Sequence, residues 1–425
     1  MRARCPLSLS KAETNRSLAG SQFMKTILIS GAGIAGPTLA FWLKAARFEP
    51  TLIERAPALR TGGYVIDFWG LGFDIAERMG LFGEINRVGY HVREMRVVND
   101  AGRPLAGFGT RVFTELTDGR YVTLQRTDLL RLLFKKIEGR TESVFGDEIV
   151  ALEEQPDCIR VELKHAGERR FDLLIGADGL HSSVRKLAFG PQSRFEKHLG
   201  YVVAAFETRG YHPRDEDVYL IYGQPGHMVG RFTLRNDRTL FLMVFAAVDA
   251  DLPATLGVQK TMLREVYGHD AWECPRILDE LDRTEALYFD RVSQIKMPNW
   301  SRGRVALLGD AAFCASLLAG QGSALAMISA YALAGELAAA QGRYQQAFAR
   351  YETLLRSYID RKQRGAARFA GAFAPKTRAG LHFRNLIIKT FAIPGLAKLA
   401  VGRDIADSPQ LPDYGWSAPD DLAVA

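Results

Sequence analysis

Residues 26–36 read TILISGAGIAG, and this stretch decides the fold. The apolar TILIS run predicts a short buried strand, and Gly31, Gly33 and Gly36 form a Gly-x-Gly-x-x-Gly sequence directly after it. A predicted helix and a second apolar strand follow, which together give a β-α-β unit. In such a unit the first glycine permits a tight turn, the second lets the backbone approach a diphosphate, and the third lets helix and strand pack closely.

The end of the second strand strengthens the prediction of a dinucleotide site. Glu54 stands there, where a carboxylate can bond the hydroxyls of an adenosine ribose. Ile34 and Ala35 open the helix, whose first N–H groups are unpaired and attract phosphate. A glycine-rich turn with a purely structural role would not account for Glu54.

The composition is that of a folded protein with more than one domain. The chain has 425 residues, of which 47% are hydrophobic and 24% charged, and this length favours two domains. The net charge is +7, to which residues 1–23 contribute four basic residues and one acidic residue. Because we find no clustered run of Lys and Arg in the rest, we expect no nucleic-acid partner, and the mild excess suits anionic cofactors.

The cysteines, histidines and apolar stretches argue against other classes of protein. Four cysteines and eight histidines are scattered without disulfide or metal-ligand spacing, so we expect reduced thiols, no metal site and a cytoplasmic location. No stretch reaches the ~20 apolar residues of a membrane span, so no integral membrane segment is predicted. Residues 1–23 lack the apolar core of a secretory signal and are predicted to be a disordered extension.

The order of predicted elements indicates an α/β fold with an inserted sheet. Strands and helices alternate in a Rossmann-like pattern, whereas the middle of the chain has short alternating strands typical of a mostly antiparallel sheet. An acidic tail from Asp404 is expected to be loosely ordered. The predicted domains are a discontinuous nucleotide-binding domain at 24–92, 120–195 and 296–342, a substrate-binding domain at 93–119 and 196–295, and C-terminal helices with the tail at 343–425.

A central Asp-Gly element and a late Gly-Asp element decide which dinucleotide is expected. GADG at 176–179 and GDAA at 309–312 each follow a predicted buried strand. An Asp before a helix is often only an N-cap, but three motifs in this order resemble those of the class A flavin-dependent monooxygenases, the aromatic-ring hydroxylases. The resemblance covers about residues 25–364. A nicotinamide dehydrogenase would need only the first motif.

The resemblance implies FAD as the cofactor and NADPH or NADH as the co-substrate. It also assigns roles to individual residues. Asp310, beside Gly309, would bond the ribityl chain, and Gly320, Gln321 and Gly322 would place backbone N–H groups near the flavin ring. In the other loops, Glu54 would hold ribose, Arg126 would reach the diphosphate, and Asp178 would lie between FAD and NAD(P)H.

Within the family the likeness is closer to the tetracycline-inactivating monooxygenases, the tetracycline destructases. It rests on Glu54-Arg55 and on the stretches 62–67, 294–297 and 309–322. The likeness implies that Asp67 contacts FAD and that Arg60 helps to receive NADPH. Arg55 and Arg60 favour NADPH over NADH, because either can meet a 2′-phosphate. Anabolic hydroxylases of polyketides and phenols share these features, so the natural substrate stays open.

The loop after the third motif departs from the family pattern. Phe313 replaces the usual His, Cys314 follows it, and residues 316–319 lack the usual prolines. The Asp and the glycines are retained, so FAD binding is still expected, with a looser loop around the flavin.

The family mechanism implies oxygenation of a small aromatic or polyketide substrate, such as a tetracycline. On that mechanism NAD(P)H would reduce FAD, and O₂ would react with the reduced ring and deliver one oxygen to an electron-rich carbon. A dry pocket is needed, for which Phe206, Phe232 and Phe245 are candidate walls. His227 and Arg231 share a strand face by the period of two and are candidate substrate ligands. The three Phe residues are explained equally well as ordinary core residues, and His227 and Arg231 as ordinary polar residues of the surface.

Two other functions compete with oxygenation: halogenation and sequestration of a ligand. A flavin-dependent halogenase would carry a Trp-x-Trp-x-Ile-Pro element, whereas Trp300 stands alone here. A flavoprotein that sequesters an aromatic ligand without turnover remains an alternative because of the altered loop. We expect the protein to be a monomer or a weak dimer.

Overall fold

The computed structural model describes residues 25–60, 63–117, 119–247, 252–393 and 409–416. The extension predicted at 1–23 lies outside the described residues. The fold is α/β with a mostly antiparallel second sheet and C-terminal helices, so the predicted fold class is confirmed. The division into domains stays a prediction.

The elements take their numbers from chain order. The strands are β1 (Thr26–Ser30), β2 (Glu49–Glu54), β3 (Val65–Trp69), β4 (Glu94–Val98), β5 (Pro104–Gly109), β6 (Tyr121–Gln125), β7 (Glu142–Phe145), β8 (Ile149–Glu154), β9 (Ile159–Leu163), β10 (Gly167–Phe171), β11 (Leu173–Gly176), β12 (Glu196–Arg209), β13 (Val218–Gln224), β14 (His227–Leu234), β15 (Arg238–Ala246), β16 (Tyr288–Ile295), β17 (Ser301–Arg302) and β18 (Val305–Leu307). The helices are α1 (Ala35–Ala45), α2 (Leu71–Arg78), α3 (Phe82–Val88), α4 (Arg111–Leu116), α5 (Arg126–Lys135), α6 (Ser183–Phe189), α7 (Leu256–Tyr267), α8 (Cys274–Arg283), α9 (Asp310–Phe313), α10 (Gly322–Ala339), α11 (Tyr344–Phe373) and α12 (Arg378–Thr390).

The first sheet is the nucleotide-binding scaffold. Its strand order is β17-β18-β11-β1-β2-β7, and all pairs are parallel except β17 with β18. The apolar TILIS run forms the central strand β1, where Ile27, Leu28 and Ile29 are at most 1% exposed. A parallel strand covered on both faces is expected to be continuously apolar, which explains this run.

The second sheet separates two different hydrophobic clusters. Its order is β16-β12-β15-β14-β13-β4-β5, antiparallel except for β13 with β4. One face packs against α7 and α8, and we call it the outer face. The opposite face meets Tyr64 and the turn at 317–319, and we call it the inner face. Because side chains alternate along a strand, neighbouring residues belong to different faces.

Helix α10 lies in the core of the chain. Nearly all of its residues are buried, and it packs against α1, α2 and α11. Among the described residues it alone is long and apolar enough to cross a membrane, but 72% of the relevant window is buried inside the fold. This is the environment of a core helix.

The expectation of a loosely ordered tail is wrong for residues 409–416. Trp416 stacks on Trp42 with ring centroids 5.3 Å apart, and the Tyr414 hydroxyl donates to Glu336 at 2.9 Å. A Cβ at Gly335 would lie 2.0 Å from the Tyr414 ring, so this glycine makes room for the tail. Aromatic burial against α1 and α10 therefore holds a segment whose polar neighbours suggested a free tail. The other residues from Asp404 onward lie outside the described part.

Replacing Trp416 by Ala should destabilise the whole protein rather than only free the tail. The indole is partly buried against Trp42 and Tyr331, so we expect a loss of about 2 kcal/mol in the free energy of unfolding. Urea unfolding of the two proteins measures this difference, with Gln410→Ala at an exposed position of the same segment as the control. Equal stability of Trp416→Ala and the unmodified protein would contradict the packing described here.

Candidate functional site

The loops after β1, β2, β11 and β18 meet at one edge of the parallel sheet. They border a cleft that is open at its mouth, and its empty space, open solvent included, amounts to about 1540 Å³. This is the edge where the strands end, and ligands of open α/β sheets bind at that edge. The other side of the cleft is formed by α5, the end of β16 and the turn before α10.

Close backbone contacts shape the bottom of the cleft. Gly31 has φ +109°, and a Cβ there would lie 2.5 Å from the carbonyl oxygen of Ala177. A Cβ at Gly36 would lie 2.0 Å from the carbonyl oxygen of Gly31. At Gly33, by contrast, the nearest atom to an added Cβ is a guanidinium nitrogen of Arg126 at 3.7 Å. Gly31 and Gly36 are therefore needed for close packing within the protein, whereas Gly33 leaves space in the cleft.

Glu54 holds the glycine-rich loop from the end of β2. Its carboxylate accepts hydrogen bonds from the backbone N–H groups of Ala32 at 2.9 Å and Ala56 at 3.0 Å. The side chain is only 11% exposed and lines the cleft. These bonds fix the carboxylate in place, and the Arg60 guanidinium forms a long ion pair with it at 3.9 Å.

Arg126 supplies positive charge opposite the glycine-rich loop. It begins α5, lines the cleft and is half-buried. No carboxylate among the described residues forms an ion pair with its guanidinium. A half-buried cation without a partner fits an anionic ligand, because charge in this setting is normally paired.

Asp178 has both a structural role and a place in the cleft. Its carboxylate accepts hydrogen bonds from the Ser182 hydroxyl at 2.5 Å and the Val184 N–H at 3.1 Å. Ser182 is itself the N-cap of α6, so Asp178 helps to hold the start of this helix. Burial raises the pKa of this carboxyl above its usual range. Asp178 therefore lines the cleft and also accepts a hydrogen bond from the first turn of α6, as an Asp before a helix commonly does.

His181 links the loop after β11 to the second sheet. Its Nε2 lies 3.0 Å from Asp290 on β16, and its Nδ1 lies 3.1 Å from Gln192. The hydrogen bond to Asp290 raises the pKa of His181, which lines the mouth of the cleft. The sequence analysis missed this residue, although its position two places after Gly179 was an available signal.

Asp310 and Cys314 lie together at the inner end of the cleft. Both line it, and the Cys314 thiol donates a hydrogen bond to the carbonyl oxygen of Ser293 at 3.6 Å. Burial raises the pKa of both groups, so Cys314 stays a thiol. Gly320 follows with φ +67°, in the left-handed region that favours glycine.

Two buried glutamines hold residues 313–315, so the expectation of a loose loop is wrong for this part of it. Gln363 of α11 donates from Nε2 to the carbonyl oxygens of Ile295 at 2.7 Å and Cys314 at 3.1 Å. Gln294 of β16 donates to Ala315 O at 2.7 Å and to the backbone oxygen of Gln363, also at 2.7 Å. These amide bonds fix the path of a segment that has no proline.

Most of the residues predicted to hold cofactor come together in the cleft. Gly36 and Gly309 lie beside it, where they pack against Gly31 and Ala35. Gln321 does not line it, and its neighbours on both sides do. The predicted residues that line the cleft are Gly31, Gly33, Ile34, Ala35, Glu54, Arg55, Arg60, Arg126, Asp178, Asp310, Gly320 and Gly322.

Asp67 lies outside the cleft. It accepts hydrogen bonds from Thr123 at 2.6 Å, Tyr121 at 2.9 Å and Tyr219 at 3.3 Å. Burial raises the pKa of this carboxyl. Ile66 lines the cleft from the same strand, and alternation along β3 directs Asp67 to the other side. Contact of Asp67 with FAD is therefore not supported by its position.

Four of the five residues suggested for substrate lie on the outer face of the second sheet, away from the cleft. Phe206 and Phe245 belong to the outer-face cluster under α7 and α8. His227 bonds Asp270 at 2.8 Å, and Arg231 is 3% exposed and paired with Glu273 at 2.6 Å.

Phe232 alone among the five lies on the inner face, in a cluster that Tyr64 and Tyr288 join. His227 and Arg231 share a strand face, as the period of two predicts. That face is the outer one, which points away from the cleft.

Two tyrosines that the sequence analysis missed stand between the cleft and the inner face. Tyr64 and Tyr288 line the cleft, and their rings meet edge to face with centroids 5.6 Å apart. Burial raises the pKa of Tyr64 to about 12 and that of Tyr288 well above its usual range. Both hydroxyls therefore stay protonated near neutral pH. Tyr64 falls in the stretch 62–67 that carries the family likeness, but no role was assigned to it, and no motif marks Tyr288. Only the folded chain brings the residue before β3 next to the start of β16.

The match to a known family decides what kind of protein this is. Residues 24–367 match the model of the FAD-binding domain family. A flavin-dependent monooxygenase of Legionella longbeachae is 33% identical over 80% of this chain and 87% of its own length. The chain belongs to the class A flavin-dependent monooxygenases. It is an FAD-dependent enzyme, and the cleft fits the cofactor through its glycine-lined floor and its unpaired Arg126.

Two further relatives place this monooxygenase within the family. An uncharacterized protein of Mycobacterium tuberculosis is 37% identical over 80% of the chain and 92% of its own length. The crystal structure of tetracycline destructase Tet(55) superposes with a TM-score of 0.79 and 29% identity, covering 93% of this chain and all of that one. The predicted likeness to the tetracycline destructases is confirmed.

Replacing Gly33 by Val should prevent the monooxygenase from retaining FAD. The protein has room for the new side chain, but that room is the floor of the cleft. A clash there should cost about 3 kcal/mol, or roughly a 100-fold rise in the Kd for FAD. Flavin absorbance after purification and a fluorescence titration measure the loss. Gly257→Val, at an open position in α7, should stay yellow, and a yellow Gly33→Val protein would contradict the assignment of this site.

Replacing Gln363 by Leu should weaken FAD binding from outside the cleft. The change strips the buried carbonyls of their amide donor, which should cost about 2 kcal/mol of stability. We also expect a roughly tenfold weaker Kd for FAD, since each 1.4 kcal/mol is tenfold. Urea unfolding of the FAD-free protein and flavin titration separate the two effects. Gln346→Leu on the exposed side of α11 is the control, and an unchanged Kd for FAD in Gln363→Leu would show that the loop positions itself.

Proposed function

We propose that this monooxygenase uses NAD(P)H and O₂ to hydroxylate a polycyclic or phenolic compound of the tetracycline kind. The observation that carries the proposal is the pairing of the cofactor cleft with an apolar wall. The inner face of the second sheet starts where the cleft ends, and Tyr64 and Tyr288 belong to both.

The inner face suits a large, flat and mostly apolar substrate. Met228 and Val244 pack there beside the turn that carries Leu317 and Leu318. Phe232 and Leu240 form the neighbouring cluster near Tyr64. Apolar walls exclude water from the reaction, and small-molecule sites are typically apolar with a few placed polar groups. Bound FAD supplies the redox chemistry, which is the transfer of electrons from the nicotinamide to oxygen.

Tyr64 and Tyr288 are the polar groups we propose for orienting the substrate. Their raised pKa values keep both phenolic protons in place, so each hydroxyl can donate a hydrogen bond to a ketone or enolate oxygen. Arg126 lies close enough to Tyr64 to oppose the rise of its pKa. Two neutral hydroxyl donors on one side of a pocket favour a substrate that presents carbonyl or enol oxygens.

The cofactor-binding roles assigned from the family pattern remain our proposal. Glu54 would hold ribose, Arg126 the diphosphate and Asp310 the ribityl chain. Arg55 and Arg60 line the mouth of the cleft, and the Arg60 side chain is 60% exposed. This guanidinium also lies 3.9 Å from the Glu54 carboxylate, and we propose that it meets the 2′-phosphate of NADPH. We further propose a cytoplasmic enzyme that acts as a monomer or a weak dimer.

The test is oxygenation of defined compounds by the purified protein. The protein is incubated with FAD, NADPH and air, and tetracyclines and simple phenols are added separately. Mass spectrometry should find a product with one added oxygen from a tetracycline, together with faster NADPH oxidation. The Gly33→Val protein should give neither signal.

Two results would change the proposal. Oxygenated phenols without oxygenated tetracyclines would support an anabolic or phenolic hydroxylase. Tight binding of a tetracycline with no rise in NADPH consumption and no product would favour sequestration of the ligand.

A further inference from the structure

One region of the chain contradicts the expectation that its positive charge is dilute. Residues 361–403 contain ten Lys or Arg and no Asp or Glu, although the whole chain has a net charge of only +7. The sequence analysis missed this run because the basic residues are spread over a long stretch. Within the described part it covers the end of α11 and all of α12.

Helix α12 is held on the body of the protein by one side only. Phe391, just after the helix, meets Phe108 of β5 with ring centroids 5.5 Å apart. Arg384 points inward and donates to the carbonyl oxygen of Phe373 at 3.3 Å. These contacts fix which side of the helix faces away from the protein.

The outward side of α12 is apolar in its centre. Phe383 is 65% exposed, Leu386 60% and Ile387 41%. Their spacing of three and four residues places them on one face of the helix. Ile393, just beyond the helix, is 53% exposed as well. Large apolar side chains that are grouped in this way mark an interaction site, whereas single exposed ones are ordinary.

Exposed basic residues flank this apolar stripe. At 100° per residue Arg378, His382 and Lys389 lie within one narrow sector beside Leu386, and all three are exposed. Lys376 precedes the helix and is exposed too. A short helix with a large apolar face and a basic border is typical of segments that lie in the plane of a membrane interface. Basic clusters on such a helix favour anionic lipid, and Lys376, Arg378 and Lys389 supply three exposed positive charges here.

We propose that the outward face of α12 docks on an anionic lipid surface. Phe383, Leu386 and Ile387 would enter the boundary between headgroups and acyl chains, and the basic border would meet the lipid phosphates. A nucleic acid would match the charge but would leave the apolar stripe in water. A second copy of the chain would cover the stripe but would place two strongly basic regions against each other. This proposal does not depend on the identity of the substrate.

The test is co-sedimentation of the FAD-bound full-length protein with vesicles. Phosphatidylcholine vesicles with phosphatidylglycerol should bind it, vesicles of phosphatidylcholine alone should not, and added salt should weaken the binding. The double variant Phe383→Ser, Leu386→Ser and the double variant Arg378→Gln, Lys389→Gln should each weaken it roughly tenfold or more. Val258→Ser removes an exposed apolar residue from α7 and should change nothing.

Other results would overturn the proposal. Failure of the unmodified protein to bind anionic vesicles would do so directly. A dimer in analytical ultracentrifugation that Phe383→Ser, Leu386→Ser dissociates, without vesicle binding, would assign the face to a second copy. Binding to a DNA duplex that the serine variant leaves intact, again without vesicle binding, would assign the charge to nucleic acid. Flavin absorbance of each variant establishes that it is folded.

Discussion

The contact between three backbone segments at Gly31 is the constraint on which the rest of the structure depends. The turn after β1 lies against the start of α1 through Gly36 and against the loop after β11 through Ala177. Neither contact leaves room for a Cβ. Because the loops meet so closely, the ends of the parallel strands form one continuous cleft floor. The unpaired N–H groups at the start of α1 and the charge of Arg126 act on that floor together.

A second set of contacts connects the loop at 313–315 with the second sheet and the C-terminal helices. Gln294 and Gln363 are buried side chains whose amides bond the carbonyls of a loop that has no proline. A buried carbonyl without a donor is costly, so these bonds tie the loop to β16 and α11. Helix α11 in turn leads to α12, which is anchored on the second sheet. The long C-terminal helices are thereby linked both to the cofactor cleft and to the surface with the exposed apolar stripe.

The candidate site could be predicted from sequence where its residues lie directly at the end of a strand or the start of a helix. The glycines, Glu54, Arg126 and Asp310 lie at fixed places relative to a strand or a helix, so the end of each element directs them toward the same edge. Asp178 shows the limit of this reasoning, since it lines the cleft and also caps α6. The substrate side was predicted poorly. Phe206 and Phe245 point to the outer face, and a period of two gives the alternation of faces without saying which face meets the cofactor.

The sequence by itself determined the family, the α/β fold and the glycine-lined floor of the cleft. The reason is that the glycine-rich turn, GADG and GDAA each depend only on the few residues around them. The tertiary structure alone decided the pairing of Tyr64 with Tyr288, the role of Gln363 and the direction of each face of the second sheet. It also decided that Trp416 packs on Trp42 and that Phe383 faces outward. These features depend on contacts between residues far apart in the chain. The pattern of a single strand or helix contains no information about which element lies opposite it.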